Sequence, residues 1–265
     1  VNGESNIRQL IHGVEVIKRH FPDIVVDTYA VQEPCFTSSL PQILKQLGYI
    51  RMSLKNPTAW GGYMAKMPGE IVNLFSHDGS SIPTVPRYEC EELISCNATE
   101  ASGYDFSSIE IFAEKCNQNG ITVPVGMCLQ DLGWSSKPLV QNIDVEYVTW
   151  REYFERFGNL IKGNVEFSQE DVLVALPWGN RIFQEMLRNV RGAENRILQT
   201  EKLLSIAEAQ NGDMEKCHLL LKEAWEMLMQ AQHHDGYICA TCGEGTRLWA
   251  FRSNALAENQ QLTDL

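Results

Sequence analysis

The sequence predicts an α/β protein, with a mostly parallel sheet over residues 1–165 and an α-helical bundle over residues 166–265. Three observations lead there. Short apolar runs alternate with amphipathic stretches through the first part, the pattern of strands joined by helices. Beyond about Ser168 this gives way to long helical periodicities. Within these, Asn211-Gly212-Asp213 supplies a turn that folds the last two helices into an antiparallel hairpin.

In chain order, Ser5 to Phe21 carries Ile7, Leu10, Ile11, Val14 and Ile17 at helical spacing, with Ser5 placed to cap and Pro22 to stop the helix. Ile24 to Val31 follows as a buried strand. Leu40 to Leu47 reads as a helix ended by Gly48, then Tyr49 to Leu54 and Glu70 to Phe75 as strands. A turn at Asp78-Gly79 leads into a strand from Ser81 to Val85. Phe106 to Asn117 is an amphipathic helix closed by Asn119-Gly120, and Ile121 to Cys128 an apolar strand. Val145 to Val148 is a short strand. Thr149 then caps the helix Trp150 to Phe157, with Glu152 where a capping box requires an acid.

In the second part the expected helices are Val172 to Val190, interrupted near Pro177 and Gly179, then Ala193 to Gln210, then Asp213 to Gln232 with Asp213 as N-cap. On the last of these, Met214, Cys217, Leu221, Ala224, Leu228 and Ala231 recur at alternating spacings of three and four. That is the narrow seam of a helix packed on other helices.

Charge and composition exclude several classes of function. Lys and Arg number 22 against 34 acids, a net charge of −12, and no basic run is present, which disfavours nucleic acid, anionic membrane and phosphorylated ligands. No apolar run approaches the ~20 residues of a membrane span. No leader is visible at Val1-Asn2-Gly3-Glu4, which leaves the compartment open with a lean to the cytoplasm. The eight cysteines are scattered through apolar segments and read as reduced thiols rather than a disulfide scaffold. Cys239-Ala240-Thr241-Cys242 lacks the second pair that a structural zinc site needs.

Functional residues of parallel sheets collect where the strands end. Three such ends carry polar clusters: Gln32-Glu33-Pro34, His77-Asp78-Gly79-Ser80 and Gln130-Asp131. A fourth cluster, Gln232-His233-His234-Asp235, lies where the helical seam runs out, and the hairpin returns it toward the start of the preceding helix. Carboxylates that face one another and a His pair suit glycoside hydrolysis or metal-assisted hydrolysis, in which one group attacks or coordinates and another transfers protons. Aromatic faces that could stack on sugar rings occur at Trp134, close after Asp131, and in Trp60-Gly61-Gly62-Tyr63.

In the same order along the chain, these segments resemble the glycoside hydrolase family 38 α-mannosidases. Tyr29 to Leu44, YAVQEPCFTSSLPQIL, is similar to the segment that carries the family's nucleophile before Leu-Pro-Gln-Ile-Leu. His77 to Ile82 resembles its Asp-Gly-Ser turn, Val125 to Trp134 the strand end with the proposed acid/base, and Ala231 to Gly236 its Gln-His-His-Asp-Gly signature. The resemblance implies a partial (β/α) barrel-like domain, incomplete at its N-terminus, followed by the helical bundle. It implies retaining, zinc-assisted hydrolysis of α-mannosides, with a mannose-containing oligosaccharide as the partner. Carried over residue by residue, Asp131 is the acid/base, His234 a zinc ligand and Asp235 a substrate-binding residue; Glu33, the acid nearest the family's nucleophile position, is the substitute nucleophile candidate, and Trp134 and Asp78 are further substrate-binding candidates. A missing N-terminal segment or a second copy of the chain is the expected further partner.

The chain departs from the pattern twice. Gln32 stands where the family's nucleophilic aspartate aligns, and a neutral amide can neither attack as an anion nor serve as a good zinc ligand. No early strand carries the family's His-x-Asp zinc motif. The alternative reading is therefore a non-catalytic glycan-binding or scaffold relative that has lost its nucleophile.

Overall fold

The computed structural model describes residues 3–30, 37–55, 67–90, 107–126, 145–168, 181–212 and 214–232. The chain divides into two compact units, Asp23–Leu176 and Val1–Pro22 together with Pro177–Leu265. The first helix, α1 (Gly3–His20), thus groups with the C-terminal helices, whereas the sequence reading began the α/β part at residue 1.

The α/β unit contains β1 (Thr28–Ala30), α2 (Leu40–Gln46), β2 (Arg51–Ser53), β3 (Ile71–Phe75), β4 (Ser81–Val85), α3 (Ser107–Gln118), α4 (Trp150–Phe157) and β5 (Ile161–Glu166). The strands form one sheet in the order β1-β2-β4-β3-β5, in which every pairing is parallel except β3 with β4. This is the expected α/β fold with a mostly parallel sheet. The antiparallel exception is local: Asp78-Gly79 makes a tight hairpin, Gly79 takes φ +83°, and Gly79 N–H donates to the Ser76 carbonyl at 2.8 Å. So short a connection cannot return a chain for parallel pairing.

The sheet packs on α4, where Ile71 and Val85 meet Tyr153 and Phe154, with Val123, Val148, Trp150 and Phe157 around them. Burial of such side chains contributes about 1.5–3 kcal/mol each. Local sequence starts α4 as expected: the Thr149 side chain accepts from the Glu152 N–H at 3.2 Å, while Glu152 Oε2 accepts from the Thr149 N–H at 2.7 Å.

Three expectations for this unit are corrected. The run from Ile24, read as a buried strand, forms a strand only at Thr28–Ala30 among the described residues, and Ile24 and Val25 are exposed. Residues 121–126, read as the start of a strand, join no ladder among the described residues; Pro124 lacks an N–H, and the N–H groups of Thr122 and Val123 go to a side chain, Glu70. Residues 145–148 likewise form no strand. Instead Ile161–Glu166, a polar and largely exposed run, pairs with β3 as β5. The approach requires Gly69, which has φ +88° and whose Cβ, if present, would lie 3.1 Å from the Lys162 carbonyl oxygen.

In the helical unit, α1 packs with α5 (Arg181–Asn211) and α6 (Glu215–Ala231). From residue 181 onward α5 is continuous through Gly192, where the sequence reading broke it; one interior glycine costs about 1 kcal/mol, less than the packing on either side supplies. Met214 occupies the N-cap of α6; Asp213, expected there, lies outside the described residues. Val190, Ala193, Ile197 and Leu204 face the predicted seam of Cys217, Leu221, Ala224, Leu228 and Ala231.

Polar rungs record the register. Glu208 pairs with His218, Glu201 with Trp225 and Glu194 with Gln232, seven residues back along α5 for each seven forward along α6. This heptad step in opposite directions is that of an antiparallel, coiled-coil-like pair. Arg8 of α1 reaches Glu201 at 2.6 Å and lies 4.3 Å over the Trp225 ring. Among the described residues, no helix is long and apolar enough to cross a membrane.

Candidate active site

The parallel strands place three C-terminal ends in one row, since Ala30 pairs with Ser53 and Ser53 with Val85. The segments leaving this row are 31–36, Leu54-Lys55 and Pro86-Arg87-Tyr88. Lys55 and Arg87 are buried, at 1% and 2% exposure. The Lys55 ammonium lies 3.1 Å above the Tyr88 ring centroid and 5.4 Å from that of Phe112, and the two rings are stacked at 6.3 Å. Held against π-faces away from water, this cation has a fixed position. The Tyr88 hydroxyl accepts from the Val125 N–H at 3.3 Å, which ties residues 121–126 to the same end of the sheet.

Because β3 runs against β4, its start lies at this end too, and Glu70 precedes it. The Glu70 carboxylate is fully buried and saturated. Its Oε1 accepts from the N–H of Thr122, the Thr122 hydroxyl at 2.7 Å and the N–H of Val123 at 2.7 Å; Oε2 accepts from Lys162 Nζ at 3.2 Å. Burial alone would raise its pKa, but the Thr122 and Val123 hydrogen bonds, with that from Lys162, outweigh it and hold the carboxyl below its ordinary 4.5. Glu70 is thus an ionised anchor for residues 121–126 rather than a proton-transfer group. Tyr153 supports the same segment by donating to the Val123 carbonyl at 3.0 Å. Burial pushes its phenol up to about 12, so it remains a neutral donor.

The other end of the sheet is fastened by charge. Asp27 accepts from Arg51 at 2.9 Å, Arg151 at 3.0 Å and the Thr28 hydroxyl at 2.8 Å, joining β1, β2 and α4. Burial works against its ionised form, yet these hydrogen bonds and the two guanidiniums lower its pKa below 3.8.

Of the sequence-derived site residues, Glu33, Asp131, Trp134, His234 and Asp235 lie outside the described residues, as does Gln32. Asp78 is described, and it is not brought to the strand-end row. Phe75 pairs with Ser81, four residues from Val85 along β4, or about 13 Å at the usual rise. Both Asp78 oxygens are engaged within the turn, by the Ser80 N–H at 2.9 Å and the Ser80 hydroxyl at 2.8 Å. Those bonds hold its carboxyl below the ordinary value. Lys55, Arg87 and Glu70 were missed by the sequence reading. Lys55 and Arg87 each follow a short apolar strand within two residues, the same signal that singled out Glu33, whereas Glu70 was absorbed into the strand after it.

The zinc that the resemblance implies would need several His or carboxylate ligands, for which the sequence offers one candidate, His234. Among the described residues, no group of three or more His, Cys, Asp or Glu is placed to hold a metal ion.

No protein-family model matches the sequence, and no curated protein matches it. Among solved structures, the fold is similar to that of an alpha-mannosidase from Enterococcus faecalis V583, with a TM-score of 0.61 and 11% sequence identity. The likeness covers 98% of this chain and 31% of that one, so the chain spans about a third of that protein's length. At such identity the likeness establishes the fold: this chain has a mannosidase-like α/β sheet and helices.

Proposed function

We propose that this chain belongs to a glycoside hydrolase that acts on α-mannosides of glycans. One observation carries the reading: the fold likeness to an alpha-mannosidase extends over 98% of the chain. In the proposed retaining reaction, one carboxylate attacks the anomeric carbon and a second protonates the leaving oxygen, which requires their carboxyl groups about 5 Å apart. Glu33 is the proposed nucleophile and Asp131 the proposed acid/base, later the base that activates water. Two buried cations share this strand-end row, Lys55 after β2, which pairs with β1, and Arg87 after β4, one strand further along; positive charge in the row would favour an ionised carboxylate. Asp235 and Trp134 are proposed to contact the sugar. Asp78 is left out, because its turn consumes both of its oxygens. In the complete enzyme, zinc held in part by His234 would orient substrate hydroxyls.

The test is turnover of an aryl α-mannoside by the longest native gene product, with zinc supplied. Loss of covalent labelling in Glu33→Gln but not in Gln32→Ala would assign the nucleophile. Activity that survives both Glu33→Gln and Asp131→Asn would refute the assignment. A second reading, a glycan-binding relative without catalysis, is favoured by Gln32 at the nucleophile's aligned position; activity created by Gln32→Asp in an otherwise inactive protein would establish it.

A further inference from the structure

The geometry points to a thiol–disulfide exchange site at Cys90 and Cys116, which form an intramolecular disulfide by reaction with a low-molecular-weight disulfide such as oxidised glutathione. The two residues are 26 apart in sequence, yet their sulfurs approach to 3.9 Å and share a hydrogen bond. Both belong to one apolar cluster with Tyr88, Phe112, Ile121 and Val125, so no shell of water separates them. A disulfide needs the sulfurs at about 2.05 Å, a closure of roughly 2 Å, which is of the size that rotation about the two Cα–Cβ bonds moves a sulfur.

The unequal burial of the two thiols sets the order of events. Cys90 is half-buried and accessible to a small reagent, whereas Cys116 is fully buried on α3. In the first step the Cys90 thiolate attacks one sulfur of the reagent and expels one thiolate, leaving a mixed disulfide. In the second, the Cys116 thiolate attacks the Cys90 sulfur and expels the second. Two protein thiols lose two protons and two electrons, and one reagent disulfide becomes two thiols.

The bond would tie the segment leaving β4 to α3. That segment carries Arg87 and Tyr88, and Tyr88 already stacks on Phe112 of α3 beneath the Lys55 ammonium. Oxidation therefore fixes the aromatic wall at the strand-end row. The site is independent of the proposed hydrolase activity and is tested without it.

The experiment equilibrates the full chain in a series of reduced and oxidised glutathione ratios, blocks remaining thiols with iodoacetamide, and maps the peptides. A glutamate-specific protease separates Cys90 from Cys96, and tandem fragmentation distinguishes Cys116 from Cys128. The expected product is a Cys90–Cys116 cross-link reversed by dithiothreitol, with a rise in Tm of roughly 5–10 °C for a loop of this length. Cys90→Ser should fold, because its side chain is not fully buried, and should lose both the cross-link and the rise. Persistence of Cys90 as a glutathione adduct, pairing of Cys90 with Cys96 or Cys128, or alkylation of both thiols across the whole series would overturn the proposal.

Discussion

Removing the charge of Glu70 should loosen the segment that leads to Asp131. In Glu70→Gln the amide oxygen can still face Thr122 and Val123, but three hydrogen bonds change from carboxylate to neutral. Bonds to charged groups contribute about 1.5–3 kcal/mol and neutral ones about 0.5–1.5, so the three together lose roughly 3 kcal/mol. The pairing with half-exposed Lys162 adds at most about 1 kcal/mol, and the smaller desolvation cost of an amide offsets part of the loss. The net expectation is a destabilisation of about 2–3 kcal/mol in urea unfolding. Glu70→Ala leaves two N–H groups and a hydroxyl unpaired and should cost at least about 4 kcal/mol. Amide hydrogen exchange at Thr122 and Val123 provides the local readout: slow in the natural protein and faster in both variants.

The pH dependence has a definite sign. The folded carboxyl titrates below its ordinary 4.5, so its contribution is complete above about pH 5 and disappears as pH falls through the folded value. The gap between the natural protein and Glu70→Gln should narrow on acidification. A Glu70→Gln protein within about 0.5 kcal/mol of the natural one, or a gap unchanged between pH 7 and pH 3, would refute the assignment of Glu70 as an ionised anchor.

In the helical unit, Glu194 accepts from the buried Ser5 hydroxyl and from Gln232 Nε2 at 3.2 Å. Glu194→Leu should therefore cost about 2–4 kcal/mol in thermal unfolding, and adding Gln232→Leu should recover part of that, because an apolar pair leaves fewer buried groups unpaired. Thr149→Ala should remove about 1 kcal/mol through loss of the α4 capping box, while Thr149→Asp, which can still cap, should retain most of the stability in the same assay.

Where the information was local, the sequence determined the result by itself. The capping box of α4, the turn at Asp78-Gly79, the strand Ser81–Val85 and the seam from Cys217 to Ala231 depend on neighbours three or four residues away and were legible as written. Partners distant in the chain were decided only by the tertiary structure. The apolar run from Ile121 looked like a strand because periodicity cannot reveal that a carboxylate 52 residues earlier takes its N–H groups. Ile161–Glu166 received no element because its pairing comes from an exposed edge beside β3, where ladder hydrogen bonds need no apolar side chains. The direction of β3 separated Asp78 from the strand-end row, and the same register gathered Lys55, Arg87 and Glu70 there. Sequence spacing names residues that follow strands, but only pairing direction decides which end of the sheet they share.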